Sequence, residues 1–154
     1  MAAKAAAQAG RPTIQNRQAR FEYHLEATFE AGIVLRGSEI KSIREGRVQL
    51  QDGFCVFQGV QLVLRNVDIQ PYSHGGYANH DGKRDRVLLL TATELRRIRN
   101  ALKVKGTTVV PTKLYFTDRN ICKLQIALAR GKQHHDKRNT IKERDIQRDR
   151  DRGE

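Results

Sequence analysis

The sequence has no tryptophan, one methionine, three prolines and two cysteines among its 154 residues. Each shortage removes a class of protein. Two cysteines, Cys55 and Cys122, make no disulfide framework, and neither has a Cys or His neighbour at metal-ligand spacing. Both lie in strand-like runs, where a reduced thiol behaves as a small buried hydrophobe. No run approaches the roughly 18 apolar residues that a membrane-spanning helix needs. The start MAAKAAAQAGRP lacks the apolar centre of a secretory signal, so the expected location is cytoplasmic. Five Phe and four Tyr are few for a surface that holds single strands by stacking bases. HExxH, GxSxG, phosphate-loop and Cys/His metal motifs are all missing. No metal or cofactor is expected, and the chain does not read as an enzyme. One pair, His74 and His80, would suit the acid and base of a metal-independent ribonuclease. The simpler reading is two solvated loop histidines.

Acid is scarce beside base. Lys and Arg number 29 against 17 Asp and Glu, a net charge of +12. A field of that sign concentrates phosphates, so the expected partner is a polyanion. The length suits one domain with tails. Residues 1–15 read as a flexible basic arm, 16–130 as the folded domain, and 131–154 as a charged tail. Within 130–154 only Ile141 and Ile146 are branched aliphatics. Such a segment buries too little area to offset its ordering entropy, so the tail is expected to be disordered when free.

The middle reads as mainly β. From Phe21 to Leu35 apolar and polar residues alternate, which predicts one long strand, bent or bulged near Gly32. GSEIKSIREG predicts a short helix with Ser38 as cap and Gly46 as stop. GFCVFQ and QLVLR flank Gly59 as a hairpin, and TTVVPTKLYFT and NICKLQIALA form another around Asp118–Asn120. Pro111 marks an edge or bulge. TATELRRIRNALKVKG is the clearest helix, with Thr91 and Glu94 at capping-box spacing and Gly106 at its stop. About six strands, hairpin connections and two or three flanking helices predict a small closed antiparallel β-barrel of the oligonucleotide-binding (OB) type. Basic clusters at Lys41/Arg44, Lys83/Arg84/Arg86 and Arg96/Arg97/Arg99 offer candidate phosphate contacts.

Three longer words carry more information: NRQARFEYHLEATFEAGIVLRGSEIKSIREG, DRVLLL and GKQHHDKRNTIKERD. In order and spacing they resemble the SmpB family, the SsrA-binding proteins of bacterial trans-translation. The resemblance runs from about Asn16 into the C-terminal tail. It implies a non-enzymatic adaptor that binds the tRNA-like domain of transfer-messenger RNA (tmRNA). Such adaptors deliver that RNA, with elongation factor Tu and GTP, to stalled ribosomes, where tagging of the incomplete peptide releases the ribosome. It also implies site residues. Asn16, Glu30 and Leu89 stand at positions linked to RNA binding, and Lys41 and Arg44 lie in the matching helix word. Arg84 and Arg86 are further candidates in a loop that departs from the family pattern, with Gly82 for an expected proline and Val87 for a basic residue. Gly131, Lys132, His135, Asp136, Lys137 and Arg138 match the start of the tail. The resemblance implies that this tail fills the decoding centre and the empty mRNA channel of the small subunit, becoming helical there. The expected protein is a monomer with no membrane partner. A general single-strand-binding barrel is the other non-enzymatic reading.

Overall fold

In a computed structural model, which describes residues 12–73 and 79–131, the chain forms a closed ring of six antiparallel strands. The elements run β1 (Ile14–Gln15), α1 (Arg17–Glu22), β2 (Tyr23–Ile33), α2 (Gly37–Arg44), β3 (Val48–Gln49), β4 (Phe54–Gln58) and β5 (Gln61–Arg65). They continue with β6 (Asp68–Ile69), β7 (Arg86–Leu89), α3 (Ala92–Ala101), β8 (Thr107–Phe116) and β9 (Cys122–Gly131). The sheet order is β1-β8-β4-β5-β7-β2-β9, and pairing of β9 back onto β8 closes it. Closure leaves no long open edge, the usual liability of a sheet. The fold is thus mainly β with three helices, as the hairpin-rich pattern predicts.

Local chemistry explains most elements. In β2, Phe29 and Ala31 point inward while His24, Glu26, Thr28 and Glu30 are exposed, so the alternation is obeyed. The hairpin between β4 and β5 has a two-residue loop, Gly59–Val60, between the paired Gln58 and Gln61. Gly59 has φ of +64°, which such tight turns require. At the other hairpin Asn120 takes φ of +65°, a value Asn tolerates better than most residues. Thr91 caps α3 and Glu94 bonds back to the Thr91 N–H at 3.1 Å, the reciprocal box read from the sequence.

Five details differ from expectation. The first strand begins at Tyr23, because Arg17–Glu22 form a helical turn capped by the Asn16 side chain. Alternation alone does not see that turn. The β2 irregularity lies between Leu25 and Thr28, opposite β9, and not at Gly32. The N-cap of α2 is Arg36, whose backbone N–H donates to Glu39 at 2.7 Å. Ser38 does not cap, because its hydroxyl faces His80. Helix α3 ends at Ala101, before the turn in which Gly106 has φ of +86°. Ile14 and Gln15, assigned to the flexible arm, pair with Leu114 and Lys113 of β8.

The core is the ring's interior. Leu62, Leu64, Leu114, Leu124 and Ile126 are fully buried, with Ile43 of α2 and Ile98 of α3 also packed in the cluster. Each such side chain contributes about 1.5–3 kcal/mol on leaving water. Cys55 and Cys122 are buried free thiols, as expected. Burial raises Cys122 to about 12 and Cys55 further, so neither is a thiolate at neutral pH. Pro111 is buried in β8 beside a register shift between Pro111 and Lys113, the bulge that its missing N–H suggests.

Gly53 tests the packing. A Cβ there would stand 2.5 Å from Val67 Cγ2, 2.9 Å from Pro111 Cγ and 3.0 Å from the Leu50 carbonyl. Gly53→Ala is expected to lower stability by about 1–3 kcal/mol, read as an earlier urea midpoint at unchanged slope.

Candidate nucleic-acid interface

The register of four neighbouring strands builds one outward face. Paired residues of an antiparallel ladder point to the same side. Leu89 pairs with Gly32, Gly32 with Lys123, and Lys123 with Tyr115, giving a row across β7, β2, β9 and β8. The next row is Glu30, Gln125, Lys113 and, on β1, Gln15. Their chain neighbours Ala31, Leu124, Leu114 and Phe116 are buried in the core, so both rows face away from it. Leu89 is 58% exposed. A Cβ on Gly32 would come within 3.2 Å of the Leu89 Cβ, so glycine leaves the room that Leu89 occupies.

The polar groups of this face are held in place. The Tyr115 hydroxyl donates to Oε2 of Glu30 at 2.6 Å. The Lys113 ammonium lies 5.1 Å from the centre of the Tyr115 ring. The Thr112 hydroxyl donates to Oε1 of Gln125 at 2.9 Å. Beside them a cleft of about 450 Å³ is lined by Arg17, Arg20, Lys113 and Gln125, among others. Three cations around one concavity suit a phosphate, and a sheet face carrying Lys, Tyr and Leu suits sugars and bases.

Of the sequence-predicted residues, the structure brings Glu30 and Leu89 together on this face and sets Asn16 at its border. Asn16 is only 5% exposed, and its side-chain amide is fully engaged. Nδ2 donates to the Pro111 carbonyl at 2.8 Å and to the Leu50 carbonyl at 3.2 Å, while Oδ1 accepts from the Ala19 N–H. The expected direct RNA contact is therefore corrected: Asn16 fastens α1, and with it Arg17 and Arg20, to the bulge in β8.

Arg86 needs a second correction. It is 0% exposed, so no phosphate reaches it. Its Nε donates to Oε2 of Glu39, and its other nitrogens donate to the Val67 and Gly82 carbonyls at 2.9 Å. Arg84 donates to Oε1 of the same Glu39 and keeps partial exposure. Burial alone would raise the Glu39 carboxyl. Hydrogen bonds from Arg84, the Arg36 N–H and Arg86, with the Arg86 charge, outweigh it and hold the carboxyl below its ordinary value. This cluster pins the segment before β7 against α2. His80 joins it: one ring nitrogen meets the Ser38 hydroxyl and the other the Ile69 carbonyl, both at 2.8 Å. His80 is 6% exposed, so it is not the solvated loop residue expected, and its ring has no nitrogen left for acid–base work. His74 lies outside the described residues.

Four other basic side chains lie over rings. Lys41 stands 5.4 Å from the Tyr72 ring and Arg44 5.8 Å from Phe116, and both remain exposed. Arg97 lies 5.3 Å from Phe29 and Arg99 4.1 Å from Phe57. Their charged heads rest against the rings, and Arg99 also donates to the Gly59 carbonyl at 2.8 Å, yet all four residues remain exposed, which is compatible with phosphate contact. Gly131, exposed at the end of β9, is the one tail-motif residue among those described. Lys132, His135, Asp136, Lys137 and Arg138 lie outside them. Among the described residues no helix is long and apolar enough to cross a membrane.

Comparison with known proteins decides the family. The model of the family described as "SmpB protein" matches residues 13–153. The chain belongs to the SmpB family. An SsrA-binding protein of Parabacteroides distasonis is 48% identical over 139 residues, covering 90% of this chain and 91% of the relative. One from Caulobacter vibrioides is 46% identical over the same shares. A solved chain described as "tmRNA-SmpB: a journey to the center of the bacterial ribosome" superimposes with a TM-score of 0.69. It is 46% identical, with 80% of this chain and 86% of that one covered. The three sequence words that resemble SmpB thus identified the family correctly.

Sequence reasoning passed over Tyr115, Lys113, Lys123, Gln125, Arg17 and Arg20. A signal was present: in KLYF and CKLQI the polar residues fall out of phase with the core leucines. What the sequence does not print is the register that sets those strands beside Glu30.

The buried cluster makes a prediction. Arg86→Met is expected to cost about 3–5 kcal/mol, because the buried Glu39 then loses its fully buried guanidinium partner, Arg84 remains only partly buried, and the Val67 and Gly82 carbonyls lose their donor. The Glu39 carboxyl is lowered in the fold, so the unfolded chain binds its proton more readily. Its stabilisation is therefore full above the ordinary value of 4.5 and lost as pH falls through the folded value. Urea midpoints measured from pH 7 down to 3 should fall less steeply for Glu39→Gln than for the parent chain.

Proposed function

We propose that this protein is an RNA-binding adaptor that holds the tRNA-like domain of tmRNA on the outward face of β7, β2, β9 and β8. The observation that carries the reading is the joining of Glu30 and Leu89 with the Arg17/Arg20/Lys113 cleft on one surface, in a chain of the SmpB family. Relatives named SsrA-binding proteins and a solved tmRNA-SmpB chain support it. In this reading the folded domain recognises RNA and performs no covalent step.

The division of labour follows from chemistry. Cations in the cleft neutralise phosphates and release counterions, which supplies affinity. Glu30, Tyr115 and Leu89 meet neutral parts of the RNA and supply orientation. Lys41, Arg44 and Arg84 extend the positive surface at α2. Residues 132–154, still rich in Lys and Arg, act second. Lys132, Lys137 and Arg138 pair with ribosomal RNA phosphates in the decoding centre, His135 stacks, and Asp136 accepts from a ribose or amide. The tail fills the mRNA channel that a stalled ribosome leaves empty. Aminoacylated tmRNA arrives there with elongation factor Tu and GTP, and the protein acts as a monomer in the cytoplasm. The incomplete peptide is then tagged for degradation and the ribosome is freed.

Deleting 132–154 is expected to leave affinity for the isolated tRNA-like RNA within about threefold while abolishing peptide tagging on stalled ribosomes, since the two contacts are independent. Loss of most RNA affinity in the truncated protein would refute the two-part reading. Lys113→Ala should lower the slope of log affinity against log salt by about 1.

A further inference from the structure

The face contains one group that does not belong to a phosphate-binding surface. Glu30 is an exposed carboxylate set one ladder position from Gln125 and two from Lys113. A carboxylate repels phosphate, and it accepts hydrogen bonds without donating any. Its Oε2 receives the Tyr115 hydroxyl at 2.6 Å. Oε1 has no hydrogen-bond partner among the described residues. Partial burial, then the bond to Glu30 and its charge, raises the Tyr115 hydroxyl above its ordinary value, so it stays a donor. The pair spans β9: Tyr115 starts on β8 and Glu30 on β2, two strand spacings or about 10 Å apart. That span is bridged by a rigid ring with two rotatable bonds, whose face is covered by Lys113.

Resting on the RNA-binding reading above, we infer that Tyr115 is a positioning residue that fixes the Glu30 carboxylate so that its outward oxygen accepts a hydrogen bond from a neutral donor of the RNA, beside the phosphate held in the Arg17/Arg20/Lys113 cleft. Two groups of RNA carry that chemistry, a ribose 2′-hydroxyl and an exocyclic base amine. Without Tyr115 the Glu30 side chain has three torsions to choose from, and each bound conformation must be selected at the cost of rotamer entropy. With it, the acceptor is pre-oriented. The arrangement also selects against an approach that would place a phosphate over Glu30, so it sets the register of the RNA on the sheet. Lys113 then has two neighbours: the ring beneath it and the phosphate above.

The test compares the full chain with Tyr115→Phe, Glu30→Gln, the double variant and Lys113→Ala, each binding the tRNA-like RNA. Tyr115→Phe keeps the ring and removes only the donor. It should weaken binding by about threefold to tenfold, the worth of one oriented hydrogen bond. Its salt slope should match the parent's, whereas Lys113→Ala lowers the slope. The double variant should bind no more weakly than Glu30→Gln alone, because both changes disable one acceptor. RNA pools carrying scattered 2′-deoxy substitutions, or base analogues that lack the exocyclic amine of guanine, adenine or cytosine, then locate the donor. Interference at a discrete position with the parent chain, absent with Tyr115→Phe, supports the inference. The substitution responsible tells ribose from base amine. Parent-level affinity for Tyr115→Phe, a lowered salt slope in it, or interference patterns identical in the two proteins would overturn it. Failure of the parent chain to bind the RNA at all would instead refute the proposed function.

Discussion

The pairing of β9 with both β2 and β8 is the constraint on which the rest depends. One strand in the middle of three sets every cross-strand neighbour at once. Gln125 lies between Glu30 and Lys113, and Lys123 between Gly32 and Tyr115. A shift of one residue would turn Leu124 and Ile126 outward and bury Lys123 and Gln125, so the hydrophobic pattern fixes the register strongly. The same pairing shuts the ring and gives the core its wall. The outward face is therefore a by-product of core packing. Its polar groups are placed as firmly as the leucines beneath them.

A second constraint acts at the α2 side. Glu39 is buried, yet both carboxylate oxygens and the Arg36 N–H are satisfied within the cluster. Charges out of water need this degree of pairing to persist. Arginine suits the position because one planar group can meet a carboxylate and two backbone carbonyls in fixed directions, which a lysine ammonium does not reproduce. The Ser38–His80–Ile69 chain of hydrogen bonds reinforces the same junction. The charge count of +12 consequently divides into kinds. Arg86 is spent inside, Arg97 and Arg99 lie over rings, and Arg17, Arg20 and Lys113 line an open cleft. Net charge alone does not distinguish these uses.

Much of this was legible in the chain. Alternation in β2, the two hairpins, the Thr91–Glu94 box and the bulge at Pro111 all depend on neighbours close in sequence. Local rules carry them. The family was legible for the same reason, since its motif words are local strings. What escaped were features set by remote partners. Asn16 meets Pro111 and Leu50, Arg86 meets Glu39, and Tyr115 meets Glu30 across 85 positions of chain. The helical turn Arg17–Glu22 escaped because its apolar residues fit the phase of the strand that follows.

By itself the sequence determined the order of the main strands and of α2 and α3, the closed β class and the family, and its charge pointed to a polyanion as partner. Those follow from periodicity, composition and motif, which survive in one dimension. The tertiary structure alone decided which candidates touch the surface. It withdrew Asn16 and Arg86 into the interior, kept Glu30 and Leu89 outside, and added Tyr115, Lys113 and the cleft. The physical reason is that burial and hydrogen-bond partnership are properties of residue pairs brought together by folding. A single side chain has the chemistry to bind RNA or to hold a loop, and only its neighbours in space settle which.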